Sequence, residues 1–210
     1  MKTKVLAILA AGLCAFAACS HAVEPAPPGL RAALEKYLQE SGNLCLGKFD
    51  WPIEVSERDR QTGARDAVQM PILEKMGIVS SSVVEKRDEG ADHAVTVTRY
   101  ELTGAGRKYY LARETTNVGA DGKTIVHHGD FCAAKLSLDK IIGWNRPQAP
   151  GNDQQAMVAY TYTIAAADWA RKPEVQQVFP MVERIIKGER TLQLEQLFRL
   201  TKNGWVAVAP

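Results

Sequence analysis

The densest run of residues able to do chemistry is His127-His128-Gly129-Asp130-Phe131-Cys132. Imidazole, carboxylate and thiolate are ligand types that zinc takes, and a catalytic centre usually draws three of them into one tetrahedron. The spacing works against such a centre. Adjacent side chains on a strand point to opposite faces, so His127 and His128 do not naturally share an ion. A Cys132 engaged in a disulfide cannot ligate at all. The run therefore reads as a strand end or loop, with a metal-dependent enzyme or hydrolase built on His127, His128 and Asp130 as the alternative. Ser80-Ser81-Ser82 lies in no G-x-S-x-G elbow, and spacing places no His/Asp partner for it. Gly104-Ala105-Gly106-Arg107 lacks the third glycine and the lysine-serine pair of phosphate-binding loops, and reads as a helix start. Tyr109-Tyr110 and Tyr160 with Tyr162 are candidates for an aromatic binding surface, but aromatics in strand alternation read first as core. No catalytic, cofactor-binding or metal-binding residue is assigned, and no cofactor is expected.

The four cysteines, Cys14, Cys19, Cys45 and Cys132, divide by position. Lys2 and Lys4 precede an apolar run from Val5 to Ala18, which is shorter than the roughly 20 residues of a spanning helix and reads as an export signal. Phe16-Ala17-Ala18-Cys19 at its end resembles the lipobox of bacterial lipoproteins, with Phe16 where that motif usually has leucine. The resemblance implies a lipidated Cys19 as the first residue of the exported chain. Ser20 in the next position implies sorting to the outer membrane. Localisation is then exported and periplasmic, with the membrane as a partner through the lipid anchor. The alternative is cleavage after Ser20-His21-Ala22, leaving a soluble protein that begins near Val23. Cys14 lies inside the apolar run and reads as part of the signal. That leaves Cys45 and Cys132, which in an oxidising compartment are most simply a disulfide. Closing a loop of roughly 90 residues contributes about 4–5 kcal/mol in the chain-entropy model. The α-carbons are expected about 4.4–6.8 Å apart.

Of 210 residues, 46% are hydrophobic and 24% charged, an ordinary balance for a globular protein. Lys+Arg 26 less Lys2 and Lys4 equals Asp+Glu 24, so the chain after residue 18 is formally neutral. A neutral chain does not bind nucleic acid through bulk charge, and no nucleic-acid partner is expected.

Val23 to Gly29 is a proline-rich tether. Leu30, Leu34, Tyr37 and Leu38 share a face of a helix over 30–40 that Ser41-Gly42-Asn43 ends. Leu44 to Val55 reads as extended. Val68, Ile72, Leu73 and Met76 predict a helix over 64–76, kinked or restarted at Pro71. Strands are predicted at 81–86 and 95–102 around a turn at Asp88-Glu89-Gly90, then a short helix capped by Thr103 with its body at 107–111. The pieces LEKMGIVSS and RYELTGAGRKYY resemble the recognition-helix exit and wing of winged-helix domains. Beyond Gly122 the pattern turns to strands. Leu136, Leu138, Ile142 and Trp144 share one parity, with Lys140 as a misfit marking a bulge or an edge. Val158, Tyr160, Tyr162 and Ile164 share another. A helix is predicted over 173–187, kinked at Pro180 and stopped by Gly188. Asn203-Gly204 predicts a type I′ turn in a closing hairpin.

The expected fold class is α+β: an N-terminal helix and a helix–hairpin, winged-helix-like unit, followed by an antiparallel sheet packed by one long helix. The expected division is a signal over 1–18 (or 1–22), a tether over 19–29, the helix–hairpin unit over 30–118 and the sheet with its helix over 119–210. The functional expectation is a non-catalytic envelope protein that binds, scaffolds or inhibits an unidentified envelope partner.

Overall fold

Alternating apolar residues over 130–164 build the two longest strands of the protein, and the rest of the chain is arranged around them. The computed structural model describes residues 25–86, 94–119, 121–147 and 154–208. The signal, Cys14, Cys19, the alternative cleavage site and the Asp88-Glu89-Gly90 turn lie outside these residues. In chain order come α1 (Leu30–Ser41), β1 (Asn43–Cys45), β2 (Ile53–Ser56), α2 (Glu57–Thr62), α3 (Arg65–Lys75), β3 (Val79–Lys86) and β4 (Val95–Leu102). Then follow α4 (Gly104–Arg107), β5 (Tyr110–Leu111), β6 (Thr115–Val118), β7 (Thr124–His127), β8 (Asp130–Asn145) and β9 (Gln155–Ala166). A 3-10 turn at Asp168–Arg171 leads to α5 (Pro173–Val178), α6 (Pro180–Lys187), β10 (Leu194–Thr201) and β11 (Gly204–Ala207).

The largest sheet runs β1-β8-β9-β10-β11, with β5 also paired to β8. It is antiparallel throughout and curls into a half-barrel. The β8–β9 register shifts between Leu138 and Lys140 and again between Ile141 and Gly143. Each such bulge bends its strand and strengthens the local twist, which curls the sheet. The misfit at Lys140 is where the first shift falls. A three-stranded sheet, β2-β4-β3, and a two-stranded ribbon, β6-β7, complete the strands.

Two apolar clusters share β8 as a wall. Its residues alternate in direction, so Phe131 and Ala133 enter one cluster while Ala134 and Leu136 enter the other. The first cluster packs Met70 and Leu73 of α3, Val175 of α5 and Val182 of α6 against Val55, Val79 and Tyr100 of the small sheet. The second seats Leu30, Leu34 and Leu38 of α1 in the hollow of the half-barrel, against Val158, Tyr160, Tyr162 and Phe198.

These contacts overturn the expected fold class. Strand outweighs helix, 43% against 30%, and the dominant body is a curled antiparallel sheet rather than a helical unit set before a sheet. The winged-helix-like pieces do form α3, β3 and β4, but β4 pairs with the earlier β2 as well as with β3. Helix α3 packs on α5, from the far end of the chain. The long helix over 173–187 is two helices. Phe179, at φ −125° and ψ 73°, breaks the spiral, and Pro180 restarts it where a missing N–H is tolerated. Pro71 instead sits inside an unbroken α3, whose buried residues are Gln69, Met70 and Leu73, while Val68 is exposed. Thr103 caps a shorter helix than expected, and Tyr110 and Leu111 form a strand. The closing hairpin pairs Thr201 with Gly204 across Lys202-Asn203. Positive φ falls on Gly204, at 100°, and on neither loop residue, so the turn is not the expected type I′, which needs positive φ at both.

Candidate functional site

The histidine-rich run lies at one end of β8, where the chain between β1 and β2 crosses it. Cys45 is the register partner of Cys132, and the two form the disulfide. Their α-carbons are 3.7 Å apart, closer than expected. The pair stands beside a register shift between Leu44 and Cys45, and next to it Leu46 donates its N–H to Phe131 O.

Asp130 clasps the crossing segment. Its two carboxylate oxygens accept the N–H groups of Lys48 at 2.8 Å and Gly47 at 3.2 Å, and one of them also accepts its neighbour's Phe131 N–H at 2.7 Å. The tight φ of Gly47, +66°, lets the chain turn its N–H groups inward here. Tyr110 donates its hydroxyl to Phe49 O at 2.7 Å. The Lys48 side chain is 2% exposed, and its ammonium pairs with Asp66 of α3. Burial pushes the Lys48 pKa down, and the charge and hydrogen bond of Asp66 offset part of that fall.

The two histidines part company. His127 is buried, with its ring stacked on Phe49 at 4.0 Å between centroids and Nδ1 3.1 Å from Asp50 Oδ2. His128 points outward, its side chain 80% exposed and its Nδ1 3.5 Å from Glu114 Oε1. Among the described residues, no three His, Cys, Asp or Glu side chains converge as a metal would need. His127 and Asp50 form half of an acid–base couple, but neither Phe49 nor Asp50 brings it a hydroxyl or thiol to activate. The cluster fastens a loop to a strand.

The other candidates are also engaged in structure. Ser81 Oγ donates to Glu74 Oε1 at 2.7 Å. Gly106 is required by close approach: a Cβ there would stand 2.1 Å from Ile78 O. Tyr160 and Tyr162 are buried in the second cluster, and Tyr162 donates its hydroxyl to Ile185 O at 2.7 Å. Burial pushes the Tyr160 pKa up to about 12.

A different surface, unmarked by any motif, has the shape of a binding site. Strand β11 ends the large sheet and, among the described residues, pairs on one side only, with β10. Between it and α1 runs a groove of about 410 Å³, walled by Ala33, Tyr37 and Glu40 on the helix and by Trp205, Val206 and Ala207 on the strand. Val208 donates its N–H to Leu197 O, so by alternation Val206 and Gly204 face β10, while Trp205 and Ala207 turn their backbone N–H and C=O groups to the open edge. The sequence hid this groove because its walls are separated by more than 160 residues. The Lys48–Asp66 pair was hidden for another reason: nothing local distinguishes a lysine in Leu46-Gly47-Lys48-Phe49 from a solvated one.

Comparison with protein-family models, with curated proteins and with solved structures finds no significant match.

Proposed function

We propose that this is an exported, lipid-anchored envelope protein without catalytic activity, which binds an extended segment of another envelope protein along β11. The groove between α1 and the open edge of β11 carries the reading. An unpaired edge offers main-chain donors and acceptors, and a flanking helix supplies side-chain pockets; extended peptides add to sheets in this way. The apolar run ending in Phe16-Ala17-Ala18-Cys19 supports the address. Metabolic labelling with a fatty-acid analogue tests the anchor: the chain takes the label, and Cys19→Ala abolishes it. A photo-crosslinking residue at Lys36 or Val206, on the groove, is expected to capture one discrete partner in intact envelopes. The same residue at Val83, exposed on the small sheet, is expected to capture none. Equal capture at all three positions would remove the groove from the proposal.

A further inference from the structure

The described chain begins at the rim of the half-barrel, and what surrounds it there is cationic and aromatic. Pro27 and Pro28 lie between two clefts of about 460 Å³ each. One is lined by Arg31, Lys140 and Trp144, the other by Arg146, Leu200 and Trp205. No carboxylate lines either cleft among the described residues. Arg31 shares its charge with Glu35 at 3.1 Å, whereas the Arg146 guanidinium lies over the Trp144 ring, 5.2 Å from its centroid. Glu24 and Asp153 adjoin the patch in sequence and set two negative charges against the three positive ones.

We infer that this rim, centred on Lys140, Trp144, Arg146 and Trp205, is the face that rests on a membrane and contacts its anionic phospholipid headgroups. The inference rests on the lipid-anchor reading, and chain length supplies its geometry. Cys19 and Pro25 are six residues apart, a reach of no more than about 20 Å when fully extended. A body held that closely presents to the bilayer the surface from which the chain leaves. Tryptophan is favoured at the headgroup level, where an apolar ring and a polar N–H are both satisfied. Lysine and arginine are attracted there by the negative surface potential. Charge and composition at the rim thus match the surface that the short tether imposes.

All residues of the two apolar clusters follow Pro25, so the chain from residue 19 onward carries the whole folded body. That chain, with Cys19→Ala so that no lipid is attached, is mixed with phosphatidylcholine vesicles with or without about 30% phosphatidylglycerol, at about 50 and 500 mM salt. Binding is expected to the anionic vesicles alone, and to fall at the higher salt. Lys140→Gln with Arg146→Gln is expected to weaken it about 30-fold, at about 5-fold per charge. Lys75→Gln with Lys187→Gln, which removes two exposed cations from α3 and α6, is expected to leave it unchanged. Equal partition into both vesicle types, no binding to either, or equal weakening by the two double variants would overturn the inference. Its failure separates from failure of the anchor. Fatty-acid label on Cys19 without vesicle selectivity removes the rim and keeps the anchor, while selectivity without label does the reverse.

Discussion

The two clusters on either side of β8 are built on different plans. The half-barrel cluster joins α1, with Ile185 of α6, to the neighbouring strands β8, β9 and β10, and the Tyr162 hydroxyl within it is partnered by Ile185 O. The other is assembled from short pieces scattered between Val55 and Val182. Its centre is aromatic: Phe131 stacks on Trp169 at 5.3 Å, with Tyr109 and Trp51 edge-on to Phe131. On this side Trp51 Nε1, Trp169 Nε1 and Gln69 Oε1 are buried without a partner among the described residues. An unmade buried hydrogen bond costs about 1–3 kcal/mol. The disulfide and the buried Lys48–Asp66 pair belong to the same region. Where local order is scarce, crosslinks and ion pairs hold pieces that side-chain packing alone leaves loosely defined.

Removing the disulfide should break that contrast most strongly. Cys45→Ala with Cys132→Ala is expected to lower stability by about 4–5 kcal/mol, since the bridge closes a separation of 87 residues. Hydrogen exchange should show the loss first at β1 and β5, and last at β9. A uniform loss across both clusters would mean that they are equally dependent on the bridge.

The ion pair should show an asymmetry. Asp66→Asn leaves an ammonium group buried without its counter-charge and should cost about 3 kcal/mol in urea denaturation. Lys48→Met should cost less than about 1 kcal/mol, because Asp66 is 40% exposed and water can solvate it. Equal losses would contradict the burial assigned to Lys48.

Alkali should act on the half-barrel. Tyr160 keeps its proton up to about pH 12 when folded, whereas an unfolded tyrosine releases it near pH 10. Its contribution is therefore fully present below pH 10 and declines as pH rises toward 12, by about 2–3 kcal/mol in all. Tyr160→Phe should flatten that decline, as read from urea midpoints on both sides of pH 10.

The smallest effects sharpen the comparison. Tyr162→Phe removes a satisfied hydroxyl and should cost about 1–2 kcal/mol, measured by thermal unfolding. Trp169→Phe removes an unpaired indole N–H at the expense of a small void, and should change stability by less than about 1 kcal/mol.

Legibility followed the same division. Helix α1 and the tyrosine strand β9 can be read from the chain because one face of each is repeated at a fixed period and buried against a single surface. The disulfide was legible from cysteine count. The first cluster was not, since its strands and helices owe their positions to partners far along the chain. Val68 has helical spacing with Ile72 but faces water, because α5 packs against the Gln69–Met70–Leu73 side instead. One local signal was overlooked: Ser56 and Asp59 form a reciprocal capping box that starts α2. His127 and His128 were separable by strand parity, but Phe49 and Asp50 as partners of His127 were not.

A strand with two dry faces leaves no tolerance for sliding. Phe131 and Ala133 fill one side of β8 while Ala134 and Leu136 fill the other, so a shift of one position would turn every side chain to the wrong face, and a shift of two would drive phenylalanine into a site shaped for alanine. Cys132 stands between Phe131 and Ala133 and meets Cys45 only when the strand is seated correctly. The disulfide thus acts as a record: it locks an alignment that packing has already chosen, and a chain in the wrong alignment keeps its two thiols apart.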